Sequence, residues 1–409
     1  MSPPLLIRRA RVLTMGNGPG PRRGIAMGDL GILDEADVLI EAGLVTELGP
    51  AIAPPRDATV IDAAGRVAMP GFVDCHTHTC WAGSRLDEWE RARRGESYLE
   101  ILASGGGIMA TVRAVRDASE DDLADALHAR LDRMLAHGTT TAEVKSGYGL
   151  SCAHEIKMLR AIAQAGERWT GTVVPTACIG HAIDPEESDF VARTIDQTLP
   201  RIHQAFPGVT IDAYCEQGAW SFDQTVELFE AATQLGHRFR VHADQFTSLG
   251  MTPWAARHEA ISVDHLEAST SHDLRALAGS GSFGVVLPCS GFHVDGRYAD
   301  GRALLDAGGA LAVATNCNPG SAPCSAIPMA IALAVRGNGL SAHEAILGCT
   351  RNAASLLGLD DRGRIEPGRR ADLILLGTHD ERALGHEFGA NPVDVVICGG
   401  AIVHDRCSR

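Results

Sequence analysis

The chain has 409 residues, room for one large enzyme domain or for a barrel with a smaller accessory domain, and 45% of them are hydrophobic, enough for a sizeable core. With 36 basic against 51 acidic residues the formal net charge is −15, which argues against nucleic acid or an anionic membrane as a general partner while leaving room for a local cationic pocket. No run of about 18 apolar residues marks a membrane span, the opening MSPPLLIRRARVLTMG lacks a secretion-signal pattern, and the eleven cysteines form no CxxC pair, so the expectation is a cytoplasmic protein with buried thiols and no disulfide framework.

Taken in chain order, the first 65 or so residues alternate short apolar runs with turn signals and read as β-strands. From about Gly71 to Gly358, strand-like and helix-like stretches alternate, with candidate strands at 71–76, 140–146, 172–178, 209–215, 238–243, 260–265, 283–288 and 311–316. Amphipathic helical stretches such as EDDLADALHARLDRMLAHG and SFDQTVELFEAATQLG lie between most of them. Eight such β/α units is the count for a closed barrel, and the long gap after the first strand marks an insertion. The final GRIEPGRRADLILL and VDVVICGGAIVHD are strand-like again. The expected architecture is therefore α/β: a TIM-like (β/α)8 barrel over 69–358, with a small β-sandwich domain assembled from 1–68 and 359–409. An open doubly wound sheet is the alternative. It usually announces a glycine-rich phosphate turn after its first strand, and here a histidine pair stands in that place.

That pair, His76-Thr77-His78, follows an apolar strand. Alternate residues of an extended segment point the same way, so both imidazoles can reach one ion. An HxH on its own is common by chance. In a parallel barrel, however, the C-terminal strand ends converge on one mouth, and five other candidate strand ends carry Lys145, His181, His242, His265 and Asn316. Any one of these histidines is more often a satisfied structural residue. Four separate strands delivering imidazoles to one rim favour a metal site.

PGFVDCHTHTCWAGSR, SYLEILASGGGI, EVKSGYGL, HADQF, VDHLE and TNCNPGS follow one another in the order and spacing of the imidazolonepropionases, and over essentially the whole chain the sequence resembles that family of the amidohydrolase superfamily. The resemblance implies an enzyme of histidine breakdown, a metal-dependent hydrolase that opens a five-membered imidazolone ring bearing a propionate arm. It implies one divalent metal ion per chain, zinc foremost with iron or manganese as alternatives, held by His76, His78 and His242 with Asn316 at the eighth-strand position. His265 would sit beside the ion near its water and Gln245 would contact the ring, so that His265, Asn316 and Gln245 form the catalytic set. Arg85, Tyr98, Tyr148 and His181 match the residues that hold the propionate, which suits the chemistry of a guanidinium with phenol and imidazole donors. The resemblance also implies a homodimer with a small-molecule carboxylate substrate. Lys145 is read in this context as support for the site, Glu216 is given no catalytic role, the stretch at 91–97 is a solvated helical face, and Gly105–Gly107 belong to a mobile active-site loop.

Two departures qualify the resemblance. The family carries aspartate where this chain has Asn316, an amide that can offer an oxygen to a metal but is no useful base near neutral pH. After the seventh strand the family pattern LPGAFY becomes LPCSGFH, which brings Cys289, Ser290 and His293 to the mouth. Two other readings follow. One is a desulfhydrase of a 2-thioxo ring with the same arm, as in ergothioneine breakdown, where hydrosulfide leaves without acid help. The other is an inactive relative that binds a small carboxylate.

Overall fold

The computed structural model describes residues 3–16, 18–96, 100 and 105–406; Tyr98 lies outside them. Five strands open the chain, β1 (Leu5–Leu13), β2 (Ile32–Glu41), β3 (Leu44–Gly49), β4 (Thr59–Asp62) and β5 (Val67–Pro70). Eight more alternate with helices: β6 (Phe72–Asp74), β7 (Thr139–Lys145), β8 (Thr172–Gly180), β9 (Thr210–Cys215), β10 (Phe239–Ala243), β11 (Ser262–His265), β12 (Phe283–Val286) and β13 (Ala310–Val313). Three strands close the chain, β14 (Leu373–Leu376), β15 (Val393–Cys398) and β16 (Ala401–Asp405).

Strands β6 to β13 lie side by side in chain order, every pair parallel. The two ends of the row meet just past β6 and β13, where Thr77 bridges Cys317, His78 N–H donates to Cys317 O at 2.9 Å and Asn316 N–H donates to His76 O at 3.1 Å. The barrel thus closes through the histidine pair itself. Strand β6 is shorter than the sequence suggests, and the two histidines sit in the extended segment beyond it.

The helices between strands follow ordinary rules. The one over Phe222–Gln234 starts with a capping box in which Ser221 Oγ accepts from Gln224 N–H at 3.3 Å and Gln224 Oε1 accepts from Ser221 N–H at 3.0 Å. Such a cap contributes about 1 kcal/mol. Its apolar face then stacks Phe229 on Phe239 of β10 with ring centroids 4.4 Å apart, a pair that adds about 0.5–1.5 kcal/mol beyond the area it buries.

The strands from the two termini form a second sheet in the order β16-β15-β14-β5-β1-β2-β3, with β4 paired to β1. The two ends of the chain are joined where β14 runs antiparallel to β5, Leu373 opposite Pro70 and Leu375 opposite Ala68. Strand alternation gives this sheet two buried faces. Leu5, Ile7, Val38, Ile40, Leu373, Leu375, Val395 and Ile397 gather into a core of their own, whereas Met69, Ile374, Leu376 and Val396 belong to the core shared with the barrel helices. Among the described residues no helix is long and apolar enough to cross a membrane.

Candidate metal centre

Contacts between strands that are not neighbours must run through the barrel interior. Lys145 of β7 reaches Asp212 of β9 at 2.8 Å as well as Glu143 of its own strand at 2.7 Å. Arg240 of β10 donates through Nη1 to the Cys75 carbonyl at 2.7 Å and through Nε to Asp264 of β11 at 3.0 Å, with Glu143 Oε1 3.5 Å from Nη1. All five side chains are buried. Two cations face three carboxylates in this layer, which leaves one net negative charge beneath the mouth. Burial and Arg240 pull the Lys145 ammonium down, yet Asp212, Glu143 and Asp264 outweigh them and hold its pKa above the ordinary lysine value. A lysine held so firmly as a cation supports the layer and offers no base. Burial likewise opposes charge on Asp212, but His242, Lys145 and Arg240 prevail and hold it well below the usual carboxylate range.

The histidines stand on this layer. His76 Nδ1 lies 2.7 Å from Asp264 Oδ2 and His242 Nδ1 lies 3.0 Å from Asp212 Oδ1. Each carboxylate accepts the Nδ1 proton, which fixes the tautomer and turns the Nε2 lone pair inward. Burial pushes the pKa values of His76, His78 and His242 below the ordinary imidazole value, which favours the neutral, ligating form of each ring. The Nε2 atoms of His78 and His242 face each other at 3.0 Å, and one ligand nitrogen from each of the three rings falls within 4.8 Å of the others. His76 Nε2 and the side-chain oxygen of Asn316 are buried with no hydrogen-bond partner. Inward lone pairs roughly 3 Å apart are what two nitrogens on one zinc-sized ion require at about 2.0–2.1 Å each. The donor set therefore fits a divalent cation.

Strained backbone shapes the rim. His265 and Leu266 both have positive φ, 88° and 74°, and Asn316 has φ 55°. Asparagine tolerates that left-handed conformation through its short polar side chain, and leucine does not. The turn at 265–266 is held by Leu266 N–H donating to Ala243 O at 3.2 Å and Ala268 N–H donating to Asp244 O at 2.6 Å. It sets the His265 ring 6.2 Å from that of His76 and 5.7 Å from that of His242. Gln245 receives the Tyr214 hydroxyl on Oε1 at 2.8 Å, and Glu216 fixes the next residues by accepting from Phe246 N–H at 2.8 Å and Thr247 N–H at 3.3 Å.

On the opposite arc stand His181, Tyr148 and Arg85. His181 stacks on His78 at 4.6 Å between centroids, with Tyr148 5.1 Å from His181. The SGYGL motif makes this possible. Gly147 has φ +114°, and a Cβ there would lie 2.9 Å from the Cys178 carbonyl oxygen and 2.9 Å from His181 Nδ1. Glu155, buried in the first turn of the helix over Cys152–Arg168, accepts from Gly147, Gly149 and Leu150 N–H at 2.9, 2.7 and 2.9 Å and so folds the motif over the mouth. Arg85 is already paired: Glu88 lies 2.6 Å from its guanidinium and also accepts Gly107 N–H at 3.1 Å. Gly107 is the N-cap of the helix over Ile108–Asp117.

Burial lowers the His181 imidazole from 6.5 to about 3. The unfolded chain therefore binds a proton that the folded one refuses, and this ring contributes no penalty above pH 6.5. Stability falls as pH drops from about 6.5 toward 3, at about 1.4 kcal/mol per pH unit for this one proton. In urea titrations of metal-free protein, His181→Asn should flatten that slope by one proton; an unchanged slope would contradict the assignment.

Of the site residues expected from the sequence, His76, His78 and His242 converge, and His265, Asn316 and Gln245 share their rim. Sequence reasoning missed Glu143, Asp212, Arg240 and Asp264, as well as Glu155 and Glu88. Two of these shared a face with a residue the sequence did single out, since Glu143 and Arg240 lie two residues before Lys145 and His242, but that spacing alone names no partner for them.

Comparison with known proteins agrees with this geometry. The amidohydrolase family model matches residues 59–97 and 87–404. The chain is 43% identical over 403 residues to the imidazolonepropionase of Herpetosiphon aurantiacus, covering 94% of both chains, and 41% identical over 385 residues to that of Deinococcus radiodurans, covering 94% of this chain and 96% of the relative. Among solved structures, a triazine hydrolase variant superposes with a TM-score of 0.75 at 19% identity, covering 98% of this chain and 95% of that one. N-isopropylammelide isopropylaminohydrolase from Burkholderia multivorans gives a TM-score of 0.68 at 19% identity and covers 99% of each chain. At these identities the solved structures establish the fold, and the near-full-length sequence relatives establish the family: the chain belongs to the amidohydrolases, on their imidazolonepropionase branch.

Proposed function

We propose that this protein is a metal-dependent hydrolase that opens a five-membered imidazolone ring bearing a propionate arm, converting 4-imidazolone-5-propanoate to N-formimino-L-glutamate. Membership of the amidohydrolase family implies a divalent metal. The observation that carries the reading is the trio of inward-facing imidazoles of His76, His78 and His242, beside an orphaned Asn316 oxygen. They would hold the ion, zinc by the nitrogen-rich donor set with iron or manganese as alternatives. When bound, it supplies a water made nucleophilic near neutral pH and an electrophile for the ring carbonyl.

The chain's own residues divide the remaining work. Asp264 and Asp212 orient the ligand rings. His265 stands over the reacting carbon and steadies charge as it develops there, while Gln245, turned by Tyr214, meets the ring. Arg85, with Tyr148 and His181, receives the propionate, and Glu88 holds the guanidinium in place. Neutral His181 spends its Nδ1 proton on the Gly147 carbonyl, 3.0 Å away, so the carboxylate is met first by Arg85 and Tyr148. We further propose that 1–68 and 359–409 act as one accessory domain around a barrel at 69–358, and that the protein works as a cytoplasmic homodimer.

The test is turnover of the ring by zinc-loaded protein, with the formimino product identified by mass spectrometry. If the ring is neither bound nor consumed, the proposal fails. The sulfide-releasing alternative draws no support from the sequence relatives, and a sulfide assay on the 2-thioxo ring would expose it. Asn316→Asp is informative in either case. Aspartate accepts the same left-handed backbone and adds a proton-accepting oxygen beside the ion, so ring opening should rise by about 10²-fold, within the usual range for a general base. A fall in activity would show that the amide belongs to the native mechanism.

A further inference from the structure

The segment after β12 departs from the family pattern, and the proposed reaction leaves its serine without a task. Ser290 lies in the short helix Pro288–Val294 at 1% exposure, and its hydroxyl has no hydrogen-bond partner. Glu267, two residues past β11, spends one carboxylate oxygen on His265 Nδ1 at 3.3 Å, while its other oxygen is buried and unpartnered. Both residues line a cavity of about 10 Å³ together with Gln245, which has room for about one non-hydrogen atom. A buried polar atom without a partner costs about 1–3 kcal/mol. Two of them, in residues that line one small space beside the glutamine proposed to contact the ring, point to a ligand.

Topology says which part of the ligand. Gln245, Glu267 and Ser290 follow β10, β11 and β12, whereas Arg85, Tyr148 and His181 follow β6, β7 and β8. With the strands in chain order around the barrel, the two groups occupy opposite arcs, with His76 and His78 following β6 on one side and His242 carried by β10 on the other. Arg297 and Asp295, which line the same cavity, pair with each other at 2.6 Å, so Glu267 leaves this arc net negative; it repels a substrate carboxylate, and the arm goes to the arginine arc while the ring faces the serine arc. A carboxylate oxygen only accepts, and the serine hydroxyl is then free to donate.

We propose that Glu267 and Ser290 read one polar edge of the substrate ring, with a ring N–H on the Glu267 oxygen and the adjacent exocyclic heteroatom on the Ser290 hydroxyl. Ser290 is thereby a specificity-determining residue for cyclic amides with adjacent N–H and C=O groups. The inference rests on the ring-hydrolase reading above and names the residues that recognise the ring.

The experiment is binding of a propionate-armed imidazolidine-2,4-dione to zinc-loaded protein by calorimetry, with glutarate as an arm-only ligand. KM and kcat on the imidazolone are measured in parallel. Ser290→Ala should weaken the dione and raise KM by about tenfold, the effect of one lost hydrogen bond. It should lower kcat as well, because that heteroatom is the carbonyl oxygen on which charge grows as the ring opens, and it should leave glutarate binding unchanged; Ser290→Thr, which keeps the hydroxyl, should restore both constants. Unchanged dione affinity in Ser290→Ala, or equal losses for dione and glutarate, would overturn the edge-reading pair while leaving a turning-over wild type intact. Failure of the wild type to bind or open any such ring would overturn the ring-hydrolase reading and this inference together.

Discussion

His242→Ala should yield a folded protein that no longer holds its metal. The side chain supplies one of the three inward Nε2 atoms of the proposed centre, 3.0 Å from that of His78, and among the described residues it is the one member of that set on β10. Its removal would leave His76 and His78, with only the Asn316 amide oxygen beside them, to hold an ion. Altering a group that merely orients a ligand costs 10–100-fold in metal affinity, so loss of a ligand should cost at least about 100-fold. Metal content by elemental analysis should drop from one ion per chain to a small fraction, with turnover lost in proportion and the circular dichroism spectrum unchanged. Asp212 would remain paired with Lys145 at 2.8 Å, which is why the fold should survive. Stoichiometric metal in the purified variant would refute the assignment of the centre.

Arg240→Met should be the more damaging change to the fold. The guanidinium is 1% exposed and lies among Asp264, Glu143 and Asp212. Burial opposes its charge, and those carboxylates hold its pKa above the ordinary arginine value. Without it, three buried carboxylates face Lys145 alone and the Cys75 carbonyl loses its donor. Breaking a buried ion pair by deleting one partner typically costs 3–5 kcal/mol because the remaining charge is uncompensated, and about that loss is expected in urea unfolding. Metal affinity should fall too, since Asp264 would no longer be anchored under His76. The exposed pair of Arg94 with Glu90 provides the contrast, and Arg94→Ala should leave the midpoint unmoved. A midpoint for Arg240→Met equal to that of the parent protein would show that the layer carries no structural load.

The readable parts of the sequence were those where local chemistry repeats with the period of one element. Alternation marked the strands, and the 3.6-residue period marked the helices, as in Phe222–Gln234 with its Ser221 and Gln224 cap. Residues at strand ends, His242 and His265 among them, were legible because a parallel barrel gathers those ends at one mouth. Glu143, Asp212, Arg240 and Asp264 were not. In one dimension they are charged residues inside apolar strands, and nothing local says that Arg240 will meet Asp264 or that Lys145 will meet Asp212 across an intervening strand. Glu88 and Glu155 escaped for a related reason: each looks like an ordinary first-turn helical acid, and its role depends on the loop that the fold lays against it.

The sequence by itself determined the eight β/α units, the strand-rich ends, the histidines at the rim and the family, because these rest on residue type and spacing along the chain. Tertiary structure alone decided that the two ends meet through β5 and β14, that the barrel closes through the backbone of His76 and His78, and that two aspartates set the histidine tautomers. It also decided that Ser290 and Glu267 share one small cavity. The physical reason is that pairing partners, burial and hydrogen-bond saturation depend on distances through space, and residues far apart in the chain acquire those distances only when the sheet curls shut.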